Sequence, residues 1–179
     1  MNDIDIIRKT SKFLSLVLRH NPAKIGLTLD SEGWADVNEL LNKMGIEYKM
    51  LNNVVETDNK KRYSFNGDKT KIRANQGHSI KVNLGLDSIT PPDVLFHGTA
   101  TRFLNSIYDK GICKMKRHHV HLSANKETAV NVGKRHDRHG NAIVLEIDAK
   151  QMHKDGHKFY RSNNGVWLTD VVDSMYIKK

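Results

Sequence analysis

Arginine and histidine side chains, which readily bind phosphate, occur at separated places in this sequence. Arg19 and His20 stand side by side in LRHNP, Arg62 follows two lysines in KKRYSF, and Arg117 precedes two histidines in RHHVHLS. Guanidinium groups form paired hydrogen bonds to phosphate oxygens, and a histidine can donate to them or transfer a proton near neutral pH. These residues favour phosphate chemistry, although Arg19 and His20 alone are also typical of a solvated helix end.

Two short glycine-containing motifs add further polar groups. In QGHS, the side chains of Gln76, His78 and Ser79 can bond phosphate or ribose oxygens, and Gly77 would let the backbone approach a ligand closely. FHGT ends an apolar run with His97, Gly98 and Thr99. Each motif taken alone is more typical of an ordinary polar turn or strand end.

The stretch KRHHVHLS, residues 116–123, contains closely spaced histidines. In a strand, His119, His121 and Arg117 would share one face, whereas Val120 would point to the other. No clear third ligand or carboxylate partner accompanies the histidines, so an anion pocket fits better than zinc, and no metal is expected.

Several common catalytic motifs are absent from the sequence. It contains no P-loop, no GxGxxG after a strand and no GxSxG, and its carboxylates form no obvious acid–base pair. Any catalysis would therefore depend on cations and histidines, which suits phosphate chemistry driven by positioning and charge stabilisation.

The bulk composition points to an anionic partner and a reducing compartment. The formal net charge of +9 favours nucleic acid or a phosphorylated ligand, although a basic surface can also serve solubility alone. Cys113 is the only cysteine, which excludes an intrachain disulfide. The chain begins without a signal-length apolar segment and has no membrane-spanning apolar run, so we expect a cytoplasmic protein with no membrane partner.

Apolar spacing in the first half predicts helices followed by a hairpin. The helices are expected over residues 3–20, 35–44 and 47–57, with Asp36 as the N-cap of the second and Glu39 as its capping-box partner. Asn66-Gly67 predicts a hairpin over residues 62–74. This order resembles a winged-helix lobe.

The second half alternates short strands and helices. Strands are expected over residues 94–99, 119–123, 141–149, 165–169 and 175–177, and helices over residues 101–112 and 125–135. The proline-containing segment 88–94 is the best linker candidate. The predicted fold class is α+β, with two lobes at residues 1–88 and 92–179.

Together the motifs resemble one family, the RNA 2′-phosphotransferases, first known for the final step of tRNA splicing. The matching stretches, in order, are SKFLSLVLRHNP, GWADVNELL, KKRYSF, IRANQGHS, LFHGT, RHHVHLS, VGKRH and NGVWLT. Each stretch alone is weak evidence for the family. Their occurrence in the family's order over residues 10–177 is highly specific for it.

The resemblance implies a winged-helix-like RNA-binding lobe followed by a β-rich ADP-ribosyltransferase-like lobe that binds NAD. It further implies a monomer that removes an internal 2′-phosphate from RNA, with NAD as co-substrate. The RNA phosphate displaces nicotinamide, giving an ADP-ribosylated phosphate intermediate. Transesterification by the neighbouring ribose 2″-OH then yields RNA 2′-OH and ADP-ribose 1″,2″-cyclic phosphate.

The resemblance also assigns roles to individual residues. The family's essential tetrad falls on Arg19, His20, Arg62 and Arg117. The NAD site is implied to comprise His97, Gly98, Thr99, His121, Ser123, Arg135 and Val166, and the substrate site Gln76, Gly77, His78 and Ser79. Val166 stands where many ADP-ribosyltransferases carry a glutamate, and an insertion in GKRHDRHG leaves Arg138 as an alternative to Arg135.

Two other functions remain open on the sequence. An ADP-ribosyltransferase that caps a terminal phosphate of RNA or DNA would use a similar NAD lobe, but its product would stay ADP-ribosylated. A non-catalytic winged-helix protein would bind nucleic acid in a salt-sensitive way without consuming NAD.

Overall fold

The computed structural model describes residues 3–136 and 141–178. The chain divides into two compact units, Met1–Gly85 and Leu86–Lys179, called the first and second units below. Each unit combines helices with β-sheet, in agreement with the α+β class.

The first unit begins with a long amphipathic helix that ends where the sequence predicts. Helix α1, Asp3–Arg19, buries Leu14, Val17 and Leu18, whose spacing of three and one places them on one face. Pro22 then starts a 3-10 helix, Pro22–Ile25, and the Asn21 side chain caps it by accepting from the Lys24 N–H. This short helix turns the chain immediately after Arg19 and His20.

Helices α2, Val37–Met44, and α3, Tyr48–Glu56, follow, as predicted. The Asp36 carboxylate caps α2 by accepting from the Glu39 N–H at 2.8 Å. The capping-box role expected of Glu39 is wrong. Its carboxylate accepts from the Thr28 N–H at 3.1 Å and pairs with Lys43 at 3.0 Å, because these partners lie within reach.

The predicted hairpin is present, but its turn is longer than a two-residue Asn-Gly turn. Strand β1, Ala35–Asp36, pairs with β3, Lys71–Ala74, which pairs with β2, Tyr63–Phe65, all antiparallel. Phe65 faces Ile72, so residues 66–70 form the turn. The Asn66 side chain accepts from the Lys71 N–H at 2.7 Å, and this side-chain bond stabilises the longer loop.

The core of the first unit lies between α1, the two shorter helices and the small sheet. Fully buried side chains from each element meet there: Leu14, Val17, Leu18, Leu40, Leu51, Val54, Tyr63 and Ile72. Burying this apolar surface fixes the end of α1 against strands β2 and β3.

The second unit contains short antiparallel strands interrupted by helices. Its strands are β4, Val94–Ala100; β5, Ile112–Cys113; β6, Val120–Leu122; β7, Ala142–Asp148; β8, Tyr160–Arg161; β9, Trp167–Thr169; β10, Val171–Val172; and β11, Ile177–Lys178. Its helices are α4, Leu104–Lys110; α5, Lys126–His136; and α6, Ala149–Lys154. Two further 3-10 helices are Thr101–Phe103 and Ser174–Tyr176.

These strands pair in three small sheets within the described part of the unit, with orders β11-β7-β4, β6-β9-β8 and β10-β5. A bridge between Phe96 and Ser123 joins β4 to the end of β6, with reciprocal backbone hydrogen bonds of 2.9 and 2.8 Å. The core is built on Leu95, Leu122, Leu145, Ile147 and Phe159.

Helix α5 lies against strand β4 at glycines. A Cβ atom added to Gly98 would lie 1.8 Å from the Ala129 carbonyl oxygen, and one on Gly133 would lie 2.9 Å from the Thr99 oxygen. Only glycine allows the two backbones to approach so closely. This contact fixes β4, which carries His97, against α5, which carries Arg135.

Several sequence predictions for the second unit are wrong in detail. The strand expected over residues 119–123 covers only Val120–Leu122, so His119 and Arg117 lie in the preceding turn and do not share a strand face with His121. Residues 174–176 form a 3-10 helix instead of a strand. Helix α6 had no predicted counterpart, although Asp148 caps it by accepting from the Gln151 N–H at 3.0 Å.

The expected linker segment is bonded to the second unit where it begins. Ser88 forms an isolated bridge with Tyr160, and the Ile89 N–H donates to the Phe159 oxygen at 2.8 Å. These bonds place the start of residues 88–94 at the edge of the sheet that contains β8.

Candidate active site

The end of α1 is fastened to the segment 76–79 at both backbone and side-chain level. The Ser79 N–H donates to the Arg19 carbonyl at 2.9 Å, and the Ser79 hydroxyl lies 2.9 Å from Nδ1 of His20. Both His20 and Ser79 are exposed. The Ser79 hydroxyl therefore helps to orient the His20 ring.

Arg19 and Arg62 lie close together in the first unit. Nη2 of Arg19 donates to the Arg62 carbonyl oxygen at 3.4 Å, and its guanidinium carbon is 5.9 Å from the centre of the Tyr63 ring. The Tyr63 hydroxyl in turn bonds the Ser15 hydroxyl at 2.7 Å on α1. The Arg19 guanidinium and the Arg62 backbone thus meet near the end of α1, although α1 and β2 are distant in sequence.

The four residues of QGHS differ in their access to solvent. Gln76 and Gly77 are half-buried, Ser79 is exposed, and His78 is only 2% exposed. Gly77 has a φ of 86°, a left-handed conformation that favours glycine. The His78 ring packs inside the first unit, so it supports this segment in the described conformation and offers no surface donor.

In the second unit, a chain of contacts links three of the predicted residues. Nδ1 of His97 lies 3.2 Å from the His121 carbonyl oxygen, and Nη1 of Arg117 lies 2.8 Å from Nδ1 of His121. A guanidinium only donates, so Nδ1 of His121 accepts and the ring is the neutral tautomer protonated on Nε2. By the same reasoning, His97 donates from Nδ1 to the carbonyl.

Desolvation and nearby positive charge lower the pKa values of His97 and His136. Burial is the main cause that lowers the pKa of His97 below its ordinary value; the bond to the His121 carbonyl opposes this shift, and the Arg117 charge adds to it. His136 is exposed at the end of α5, and partial desolvation together with repulsion from Arg135, Arg117 and Arg102 lowers its pKa. The neutral Nε2 of His97 is therefore a hydrogen-bond acceptor at neutral pH.

The end of α5 adds cations to this cluster. Arg135 is exposed in the last turn of α5, and Nη2 of Arg102 donates to the His136 carbonyl at 2.6 Å. Arg102 was missed by the sequence analysis; its place directly after the FHGT strand was the available signal. The alternative Arg138 lies outside the described residues.

The remaining predicted NAD-site residues lie in β4 and in the turn before β9. Gly98 and Thr99 are buried, and the bare face of Gly98 lies against α5. Ser123 forms the bridge to Phe96 described above. Val166 is half-buried in the turn after β8, where its N–H donates to the Ser162 hydroxyl at 3.1 Å.

Three of the four tetrad residues therefore lie together in the first unit, at the end of α1 and the start of β2. Arg117 lies in the second unit, beside His121. Within residues 3–136 and 141–178, no group of three or more His, Cys, Asp or Glu side chains is arranged to hold a metal ion. In the same residues, no helix is both long and apolar enough to cross a membrane.

Comparison with known proteins places these features in one family. Residues 6–171 match the family described as RNA 2′-phosphotransferase, Tpt1/KptA family. A protein of Fusobacterium nucleatum named "Probable RNA 2′-phosphotransferase" is 54% identical over 175 residues, which cover 95% of this chain and 97% of that protein. Proteins with the same name from Flavobacterium johnsoniae and Acaryochloris marina are 52% and 51% identical over 99% and 95% of this chain, and over 98% and 95% of their own lengths. The chain belongs to the RNA 2′-phosphotransferase family.

Proposed function

We propose that this protein is an RNA 2′-phosphotransferase that uses NAD to remove an internal 2′-phosphate from RNA. Family membership over residues 6–171 supports the phosphotransferase activity. The observation that carries the site assignment is the grouping of Arg19, His20 and Arg62 in the first unit, through the Arg62 carbonyl and the Ser79 hydroxyl.

The first unit supplies the groups that hold the RNA phosphate. The guanidinium groups of Arg19 and Arg62 neutralise a phosphate dianion and donate to its oxygens. The His20 ring, oriented by the Ser79 hydroxyl, donates to a phosphate oxygen or moves a proton there. Ser79 therefore acts on the phosphate through the orientation of His20.

The second unit supplies the groups that suit a dinucleotide. Arg102 and Arg135 provide positive charge for a pyrophosphate, while His97 and His121 provide uncharged nitrogens for ribose hydroxyls. This donor set fits NAD. When bound as co-substrate, NAD would supply the ADP-ribosyl group and nicotinamide as the leaving group.

In the second unit, His97 and His121 are suited to binding hydroxyl groups, and Arg117 is suited to stabilising negative charge. The contact with Arg117 holds His121 in one tautomer, and the contact with the His121 carbonyl holds the His97 ring. Arg117 retains further guanidinium donors beyond this contact, and these can stabilise negative charge that develops on a phosphate.

The architecture that we propose follows the same division. Helices α1 to α3 with the β1-β3-β2 sheet and its hairpin support a winged-helix-like RNA-binding lobe over residues 1–88. The short antiparallel strands from β4 onward support an ADP-ribosyltransferase-like lobe over residues 92–179.

Nicotinamide release tests the proposal. The purified protein is incubated with NAD and an RNA oligonucleotide that carries one internal 2′-phosphate, and free nicotinamide is quantified. We expect release that requires the 2′-phosphate and falls by at least about 100-fold in Arg62→Ala, because a charged hydrogen-bonding group to the phosphate is lost. Release that is equal with unphosphorylated RNA would contradict the proposal.

A further inference from the structure

The turn that leads into Arg62 is organised by one carboxylate. Asp58 follows the end of α3, and its side chain accepts from the Lys60 N–H at 3.2 Å and from the Arg62 N–H at 2.6 Å. Its own carbonyl accepts from the Lys61 N–H at 2.7 Å. Lys61 has a φ of 42°, a conformation unusual for a residue with a side chain. The turn is therefore held in a specific shape.

The same carboxylate pairs with the Arg62 side chain. Oδ1 of Asp58 accepts from Nη1 of Arg62. The Asp58 side chain is 5% exposed and that of Arg62 is 30% exposed. In every other ion pair between described residues, the acidic side chain is at least 28% exposed. The Asp58–Arg62 pair is thus unusual in having its acidic partner shielded from solvent while the guanidinium reaches it.

Asn75 fixes the other side of the Arg62 backbone. Its N–H donates to the Arg62 carbonyl at 2.8 Å, and its side-chain amide donates to the Lys61 carbonyl at 2.7 Å. The Ser64 hydroxyl donates to the Asn75 side-chain oxygen at 2.8 Å. Asp58 and Asn75 together fix the backbone at Arg62, so only its side-chain torsions can still vary. The Asp58 carboxylate restricts these torsions because it accepts from the guanidinium.

We propose that Asp58 is a positioning residue for phosphate recognition, which orients the Arg62 guanidinium without touching the substrate. A carboxylate this well shielded would not contact a phosphate, and its own charge would repel one. Its bond to Nη1 restricts a long flexible side chain and leaves the other guanidinium donors for the ligand. This inference rests on the proposed function, in which Arg62 binds the 2′-phosphate.

The simpler explanation is that Asp58 only caps its turn. An asparagine at this position can keep an oxygen for the Arg62 N–H, while its amide nitrogen replaces Oδ1, which accepts from the Lys60 N–H and from Nη1 of Arg62. Asp58→Asn therefore keeps the shorter backbone bond and removes the guanidinium bond, and the Arg62→Ala background measures what the lost Lys60 bond contributes. Asp5→Asn is the matched control, because Asp5 pairs with Arg8 at 3.1 Å on the exposed start of α1.

The test is a double-mutant cycle of Asp58→Asn and Arg62→Ala, with kinetics on a 2′-phosphorylated oligonucleotide and NAD. We expect Asp58→Asn to lower kcat/KM for the RNA by about 10- to 100-fold, the range for a charged hydrogen bond, with KM for NAD unchanged. In the Arg62→Ala background, Asp58→Asn should cause no further loss, because its effect acts through Arg62. Asp5→Asn should match the wild type within about twofold.

Two results would overturn the inference: wild-type kcat/KM in Asp58→Asn, or a loss of equal size in both backgrounds, which a purely structural role would give. If Asp58→Asn does not fold, Asp58→Ser takes its place, because a hydroxyl can still cap the turn. If the wild type does not act on this RNA, the proposed function fails, and NMR order parameters of the Arg62 Nε–H decide this inference separately. An Arg62 side chain as rigid in Asp58→Asn as in the wild type would then refute it.

Discussion

At the scale of single residues, hydrogen-bond partners assign protonation states that the sequence leaves open. The bond from Arg117 makes His121 a neutral acceptor, and burial together with nearby cations lowers the pKa of His97. The sequence predicted both histidines as ligand contacts. It did not predict their neutrality, because this depends on burial and on Arg117, which approaches them only in the folded chain.

Lowered histidine pKa values predict a loss of stability in mild acid. In the unfolded chain His97 takes up a proton at its ordinary pKa of about 6.5, whereas in the folded protein it resists protonation. The stabilisation is thus fully present above this value and is lost as the pH falls below it. His119 and His136, whose pKa values are also lowered by burial, act in the same direction.

Urea unfolding at about pH 7.5 and about pH 5.5 measures this effect. The wild type should lose free energy of unfolding at the lower pH. His97→Asn, which keeps a donor near the position of Nδ1 but cannot titrate, should lose less. Equal losses in the two proteins would show that His97 does not resist protonation in the fold.

At the scale of elements, the long periodic segments were predictable and the turns were not. The apolar spacing of Leu14, Val17 and Leu18 correctly predicted α1, and Asp36 correctly predicted the start of α2. The Asn66-Gly67 pair predicted the hairpin but not its five-residue turn, residues 66–70, which depends on the Asn66 side-chain bond to Lys71. Short apolar patterns such as the one preceding β11 match helix and strand equally well.

The sequence motifs predicted only part of the candidate site. Motif order identified the residues around Arg19 and Arg62, but no local pattern indicated that Asp58 would hold Arg62 or that His78 would be buried. Both facts depend on which side chains meet after packing. The short polar segments that contain Asp58 and His78 have no periodicity from which these contacts could be inferred.

The close approach of β4 and α5 predicts that Gly98 is required for stability. In Gly98→Ala, the added methyl group would meet the Ala129 carbonyl oxygen at 1.8 Å, so one backbone must move. We expect a loss of about 1–3 kcal/mol in the free energy of unfolding, measured by thermal or denaturant unfolding. Gly67→Ala is the control, because nothing lies within 4 Å of its added Cβ, and it should change stability by less than about 0.5 kcal/mol.

At the scale of the whole molecule, each unit has its own hydrophobic core, and the chain as a whole is strongly basic. Each unit has its own hydrophobic cluster, built on Leu14, Leu18 and Leu40 in the first and on Leu95, Ile147 and Phe159 in the second. The chain carries a net charge of +9, so a phosphate backbone is attracted independently of its sequence. The composition alone predicted this anionic partner, but it did not distinguish RNA from any other polyanion.

This charge predicts RNA affinity that depends strongly on salt. The logarithm of the association constant for a single-stranded RNA should fall linearly with the logarithm of salt concentration, with a slope of about 0.7 per phosphate contacted. Fluorescence anisotropy with a labelled oligonucleotide measures it. Arg62→Ala should reduce the slope by about one contact for the 2′-phosphorylated RNA. An affinity insensitive to salt would contradict the electrostatic account.

The fate of the RNA phosphate shows whether this protein removes an internal 2′-phosphate with NAD. An oligonucleotide with one internal 2′-phosphate is incubated with the protein and NAD, and both the RNA and the small products are analysed by mass spectrometry. We expect RNA that has lost this phosphate and carries a 2′-OH at the same internal position, together with nicotinamide and ADP-ribose 1″,2″-cyclic phosphate. RNA that keeps its phosphate, unchanged or joined permanently to ADP-ribose, would contradict the proposed function.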